Sequence, residues 1–265
     1  MRDILLEIAE NKGKEIRSFY DSANKRKDME RWALDVKRKH LSMSRSICEK
    51  NRQRNPGIIA EFKRMSPSKG LIFPYADVEK VVPYYERGGA AACSVLTDTR
   101  YFGGALTDLA LARKNLDIPV LRKDFIIDEI QIAEANLYGA DAILLIASLL
   151  SSEDITRFTD CAHEYGLEVL FEVHDIKETE KIIPEVDMVG VNNRALSTFV
   201  TDVNNSAGFI DYLPKYKPLI AESGIKAKGD IERLIECGFH GFLIGETFMR
   251  SPDIELKVKE FSHVS

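Results

Sequence analysis

Several apolar runs in this 265-residue chain end abruptly in an ionisable or amide side chain. Ile58-Ile59-Ala60 leads into Glu61-Phe62-Lys63, and Ile118-Pro119-Val120-Leu121 into Arg122-Lys123-Asp124. Val169-Leu170-Phe171 leads into Glu172, Met188-Val189-Gly190-Val191 into Asn192-Asn193-Arg194, and Leu219-Ile220-Ala221 into Glu222-Ser223-Gly224. Placing a charge at the end of a buried strand costs desolvation energy, so the repetition points to a purpose. Lysines and glutamates brought together on one rim shift each other's pKa and supply both acids and bases. Any one of these charges alone is more often a solvated cap or an ion-pair partner than a catalyst.

Elements with the right periodicity exist to position them. Short β-branched runs centre near Ile59, Val95, Val120, Leu144, Val169, Val189, Ile220 and Leu243. Helical stretches lie between them, among them Val78–Arg87, Glu129–Tyr138, Glu153–Tyr165 and Gly229–Glu236. Glycines follow these helices at Gly88-Gly89, Gly139, Gly166 and Gly238, where they suit a left-handed C-cap. Ser151 and Asp175 offer N-cap side chains before helices. Eight strand–helix units predict an α/β fold, a (β/α)8 TIM barrel, which typically needs about 250 residues. The competing open doubly wound sheet would carry a Gly-rich dinucleotide turn after its first strand, and none follows Ile59.

Ile4, Leu5, Ile8 and Ile16 recur at helical spacing, and Trp32, Leu34 and Val36 are read as continuing that apolar face. Residues 1–50 are therefore expected to form an N-terminal helical extension on a single barrel domain spanning 1–265. Alternate side chains of a strand share a face, so Glu61 and Lys63 point together, as do Asn192 and Arg194. Lys123 and Glu172 share parity with Leu121 and Leu170. In a barrel these positions converge at the C-terminal mouth. Glu222-Ser223-Gly224 and Gly245-Glu246-Thr247 close units seven and eight, where barrel loops often bind phosphate through backbone N–H groups. An ordinary tight turn reads equally well at either position alone. Arg64-Met65-Ser66-Pro67-Ser68-Lys69-Gly70 is expected to be a loop able to fold over an anion. His174 is read as a loop residue just past a strand end.

Bulk properties narrow the class. The chain is 45% hydrophobic and 30% charged with a net charge of −5, which gives no support for a nucleic-acid surface. The longest apolar run, from Ala142 to Leu150, is too short to span a bilayer, and no signal-peptide core is visible. Cys48, Cys93, Cys161 and Cys237 lack metal-ligand spacing and read as reduced cysteines of a cytoplasmic protein. No His, Asp or Glu cluster has the spacing of a metal site, so no metal is expected.

Together the motifs become specific. Ile59-Ala60-Glu61-Phe62-Lys63-Arg64 with Ser66-Pro67-Ser68-Lys69-Gly70 resembles the signature of the indole-3-glycerol-phosphate synthase family. Ser94–Asp98, Leu121-Arg122-Lys123-Asp124-Phe125, Gly139–Ala142, Glu172-Val173-His174-Asp175, Val191–Arg194, Glu222–Ile225 and Leu243–Glu246 match in order, so the likeness covers nearly the whole chain. Met65 and Ala195 depart from the residue types usual there. The resemblance implies ring closure of 1-(2-carboxyphenylamino)-1-deoxyribulose 5-phosphate with loss of CO2 and water, in tryptophan synthesis. It implies no metal or organic cofactor, a small anionic substrate, no nucleic-acid or membrane partner, and a monomer or weak homodimer.

The same resemblance implies site roles. Lys123 and Glu172 would be the principal acid and its acid/base partner, with Lys63 positioning the carboxylate or acting as a second acid and Glu61 orienting it. Ser66, Phe125, Asn192, Arg194, Glu222 and Ser223 would bind substrate, and Gly224, Gly245 and Glu246 would cradle the phosphate. The other readings of the residues are a sugar-phosphate isomerase barrel and a non-catalytic binding barrel.

Overall fold

The computed structural model describes residues 4–20, 23–194, 201–203 and 205–263. Eight parallel strands close into a barrel: β1 (Gly57–Phe62), β2 (Ala92–Leu96), β3 (Val120–Lys123), β4 (Ala142–Ile146), β5 (Glu168–Val173), β6 (Met188–Asn192), β7 (Leu219–Glu222) and β8 (Gly241–Ile244). They pair in sequence order, and β1 closes the ring by pairing with both β2 and β8. Ile59 lies opposite Ala92 on one side and Leu243 on the other.

Strand parity divides the core into two layers. Ile59, Leu121, Leu144, Leu170, Met188, Ile220 and Leu243 pack inside the barrel. Ile58, Ala60, Phe62, Val95, Val120, Val169, Val189 and Phe242 face the surrounding helices. An inward Leu→Ala change would cost roughly 2–5 kcal/mol, because neighbours on a closed ring relax little into the gap. On β1, β3, β5 and β7 the inward residue two positions further along is charged (Glu61, Lys123, Glu172 and Glu222), so the hydrophobic layer is the floor on which the polar rim stands.

Three helices precede the barrel: α1 (Ile4–Tyr20), α2 (Ala23–Leu34) and α3 (Met43–Arg52). Helix α3 plugs the N-terminal end. Its Met43 and Ile47 join the inner layer, and a Cβ at Gly57 would lie 2.6 Å from Ile47 Cγ2. Asp141, at the start of β4, accepts from the Arg38 and Arg113 guanidiniums and the backbone N–H of Leu41 and Val120. That buried carboxylate fastens the connection between α2 and α3 to the bottom of the barrel. Helix α1 instead crosses the mouth.

Three expectations need correction. Trp32 and Leu34 are exposed, at 53% and 66%, and Val36 lies beyond α2, so they do not form a buried face. Residues two apart on a helix sit about 200° around the axis, which precludes a common face. Ala33 is the buried residue, and its carbonyl accepts from Asn136 Nδ2 on the helix Glu129–Leu137. Second, units five and six carry 3-10 segments, Ile176–Lys181 and Asn205–Tyr212, in place of α-helices. Pro184 and Pro214 follow them closely and limit helix extension. Third, the loop after β1 contains a short hairpin, Met65–Ser66 against Gly70–Leu71. The four cysteines are free. No helix of the described residues is long and apolar enough to cross a membrane.

Candidate active site

A cavity of about 390 Å³ opens at the C-terminal end of the strands. Glu61, Lys63, Ser66, Lys123, Phe125, Glu172, Asn192, Arg194, Glu222, Ser223, Gly224, Gly245 and Glu246 all line it, so every residue expected at the mouth on the described chain is there. Ala195 lies outside the described residues. Met65 sits beside the site in the hairpin, where a Cβ at Gly103 would touch its side chain.

Lys123 is the electrostatic centre. Its Nζ lies 2.9 Å from Glu172 Oε2 and 2.9 Å from Glu222 Oε2. Burial favours the neutral amine, but Glu172, Glu222 and Glu61 outweigh it and push the ammonium pKa up. The two carboxylates then split. Burial raises Glu172, yet Lys123 and His174 override it and hold the group below the usual carboxylate range. Burial raises Glu222 too, and the Glu172 charge adds to that effect, so Lys123 fails to keep it low and its pKa lies well above the usual range. The two carboxylates around one lysine therefore titrate as a linked pair, Glu172 held low and Glu222 raised.

Glycines provide the clearance. A Cβ at Gly190 on β6 would fall 2.3 Å from Glu222 Oε1, and one at Gly245 would fall 2.2 Å from Glu61 Oε1. Glu61 pairs with Lys63 two residues along the same strand end. Arg194 donates from Nη1 to Ser68 Oγ at 2.6 Å, which ties β6 to the loop after β1, and its backbone N–H donates to Asn192 Oδ1 at 3.0 Å. Arg64 forks onto Asp108 and also donates to the carbonyls of Gly103 and Ala76. It anchors the loop base, while Ser66 and Lys69 of the same loop stand on the cavity wall.

The side of the mouth above β7 and β8 carries a tight backbone turn. Ser223 and Gly224 adopt φ of 67° and 82°, a left-handed pair on the cavity wall. A Cβ at Gly224 would meet Thr201 Cγ2 at 2.6 Å. Thr247 Oγ1 donates to the Ile225 carbonyl at 2.8 Å, joining the loops after β7 and β8. Asn193 Nδ2 donates to the Ser223 carbonyl, while its Oδ1 accepts from Ser206. Lys226 and Arg250 add positive charge to this wall.

Some lining residues escaped the sequence reading. His174, read as a loop residue, is only 6% exposed in its side chain, lines the cavity and places Nε2 3.1 Å from Glu172 Oε1. Its distance of two positions from Glu172 was the available signal. Ile4, Leu5 and Ile8 of α1, with Phe102 and Phe125, make an apolar wall; the ring centroids of Phe102 and Phe125 are 5.9 Å apart. Their helical spacing was visible, but nothing in it said which surface they cover. Among the described residues no group of three or more His, Cys, Asp or Glu side chains is placed to hold a metal ion.

The mouth can thus hold an anion on backbone N–H groups, an apolar ring against α1, and a reacting carbonyl between acids and a base. Comparison with known proteins fits that description. The family model described as indole-3-glycerol phosphate synthase matches residues 5–261. The chain is 45% identical over 257 residues to the indole-3-glycerol phosphate synthase of Bacteroides thetaiotaomicron, covering 95% of each chain. It is 48% identical over 214 residues to that of Neisseria meningitidis serogroup B, covering 80% of this chain and 82% of the other. Among solved structures, a thiamine phosphate pyrophosphorylase from Pyrococcus furiosus superposes with a TM-score of 0.56 at 15% identity, over 77% of this chain and 92% of that one, which reflects the shared barrel. On this evidence the chain belongs to the indole-3-glycerol phosphate synthase family.

Proposed function

We propose that this chain closes the indole ring of 1-(2-carboxyphenylamino)-1-deoxyribulose 5-phosphate, releasing CO2 and water to give indole-3-glycerol phosphate. The observation that carries the reading is Lys123 Nζ held at 2.9 Å from both Glu172 and Glu222 in the cavity. In the first step the ring carbon bearing the carboxylate attacks the ketone. Lys123 donates a proton to the ketone oxygen as it becomes an alkoxide, and loss of CO2 restores the aromatic ring. An ammonium held charged by carboxylates releases its proton only to a strong base, so transfer is coupled to carbon–carbon bond formation. In the second step Lys123, reprotonated from solvent, donates to the new hydroxyl as it leaves as water, and Glu172 takes the proton that the ring sheds.

Lys63, oriented by Glu61, neutralises the substrate carboxylate before it departs. Asn192, Arg194, Glu222, Ser66 and Ser223 align the sugar portion, and Phe125 contacts the aryl ring. Backbone N–H groups at Gly224, Gly245 and Glu246 receive the phosphate. In this reading the chain acts as one domain over residues 1–265, in the cytoplasm, as a monomer or weak homodimer, with neither metal nor organic cofactor.

The test is direct: supply the carboxyphenylamino substrate to purified protein with chelator present and follow indole fluorescence. Product should accumulate catalytically. Folded protein that yields none removes the assignment.

A further inference from the structure

Lys12, on α1, belongs to none of the roles above, yet its side chain is only 6% exposed beneath the helix. Its Nζ lies 3.1 Å from Asp98 Oδ2, 3.1 Å from Asp124 Oδ1 and 3.0 Å from Glu15 Oε2. The two aspartates are themselves buried and belong to different strand ends. Asp98 follows β2 and caps the short helix Thr99–Phe102, accepting from the Tyr101 N–H at 2.7 Å. Asp124 follows Lys123, accepts from the Phe125 N–H at 2.8 Å, and is further held by Thr97 and Arg122.

One ammonium therefore joins three pieces of chain, each carrying part of the apolar wall. Helix α1 brings Ile4, Leu5 and Ile8, the Asp98 segment brings Phe102, and the Asp124 segment brings Phe125. A lysine is buried in this way only when it is fully paired, and an apolar residue would have filled the space at lower desolvation cost. Exchanging the charge for such a residue would strand two buried carboxylates and unseat the helix.

We propose that Lys12 is a positioning residue that sets the aryl compartment of the site by locking α1 to the ends of β2 and β3. The inference rests on the ring-closure reading, because it takes the substrate's aryl ring to occupy the wall opposite the phosphate. Lys12 acts through the residues it seats and touches no reacting atom. Its loss should weaken binding of the aryl-bearing substrate and leave phosphate recognition and the proton transfers at Lys123 in place.

The experiment compares Lys12→Met with the parent enzyme for KM, kcat and inhibition by inorganic phosphate. Misplacing a positioning element by about 1 Å can cost on the order of 100-fold, so KM should rise about tenfold or more while kcat changes less than about threefold. The phosphate inhibition constant should stay unchanged, and Lys12→Arg should recover most of the lost affinity. Asp98→Asn is the second variant, since Asn keeps the helix cap and removes only the charge. It should show a smaller KM rise with the same split, and it carries the test if Lys12→Met does not fold. Unchanged KM in Asp98→Asn, or an equal loss of phosphate affinity in Lys12→Met, overturns the proposal. An inactive parent enzyme would instead overturn the ring-closure reading.

Discussion

The two sides of the mouth are made by different means. On the side fed by β1, β3 and β5, charged side chains do the work: Glu61, Lys63, Lys123 and Glu172 stand on the inward parity of their strands. On the side fed by β7 and β8, the backbone does it, through a left-handed Ser223–Gly224 turn and the Gly245 approach. Charged side chains can change protonation and so can take part in chemistry. Fixed N–H groups cannot, but they hold an anion without titrating. In the proposed reading chemistry rests on side chains and anchorage on backbone, and the two meet where Gly245 approaches Glu61 and where Glu222 of β7 reaches Lys123.

That contrast predicts different failures. Lys123→Ala or Glu172→Gln should lower kcat by about 100- to 10,000-fold, the contribution typical of a positioned acid or base, with little change in phosphate affinity. Steady-state kinetics with phosphate as competitor checks both parts. Gly190→Ala should cost kcat by roughly 10- to 100-fold although it removes no polar group, because the new Cβ displaces Glu222 from Lys123. A Gly190→Ala enzyme with normal kcat would show that Glu222 is dispensable.

Gly224→Ala breaks the other wall. A side chain at φ of 82° costs about 1–2 kcal/mol and meets Thr201, so phosphate affinity should fall about tenfold with kcat nearly preserved. The smallest effect concerns acid stability. Burial would raise Asp124, but Arg122, Lys12 and the Thr97 hydrogen bond overrule it and bring it down to about 2. A carboxylate depressed on folding stabilises the native state above its unfolded pKa, and that stability drains away as pH falls through the folded value. Asp124 should accordingly contribute about 2 kcal/mol near neutral pH, lost between roughly pH 4 and pH 2. Denaturant titrations across that range read it.

How much of this was legible in the sequence follows the same division. Inward parity at Glu61, Lys63, Lys123 and Glu172 was readable because a strand's two-residue period is fixed by covalent geometry. The glycine turns were readable as turns, though not as a cradle, since any tight turn uses the same residues. Lys12 gave no signal at all: a lysine on an amphipathic helix is normally solvated, and only the fold brings Asp98 and Asp124 beneath it. His174 does lie just past its strand end, but its burial against the cavity was not legible because it depends on what packs over that position. Trp32 and Leu34 were misassigned by accepting a spacing of two within a helix.

The most direct measurement runs the parent enzyme and Lys123→Ala side by side, following indole fluorescence for kcat and competition by inorganic phosphate for affinity. The variant should keep its phosphate inhibition constant while kcat falls by about 100-fold or more. Turnover close to the parent's, in a folded variant, would contradict the role assigned to Lys123.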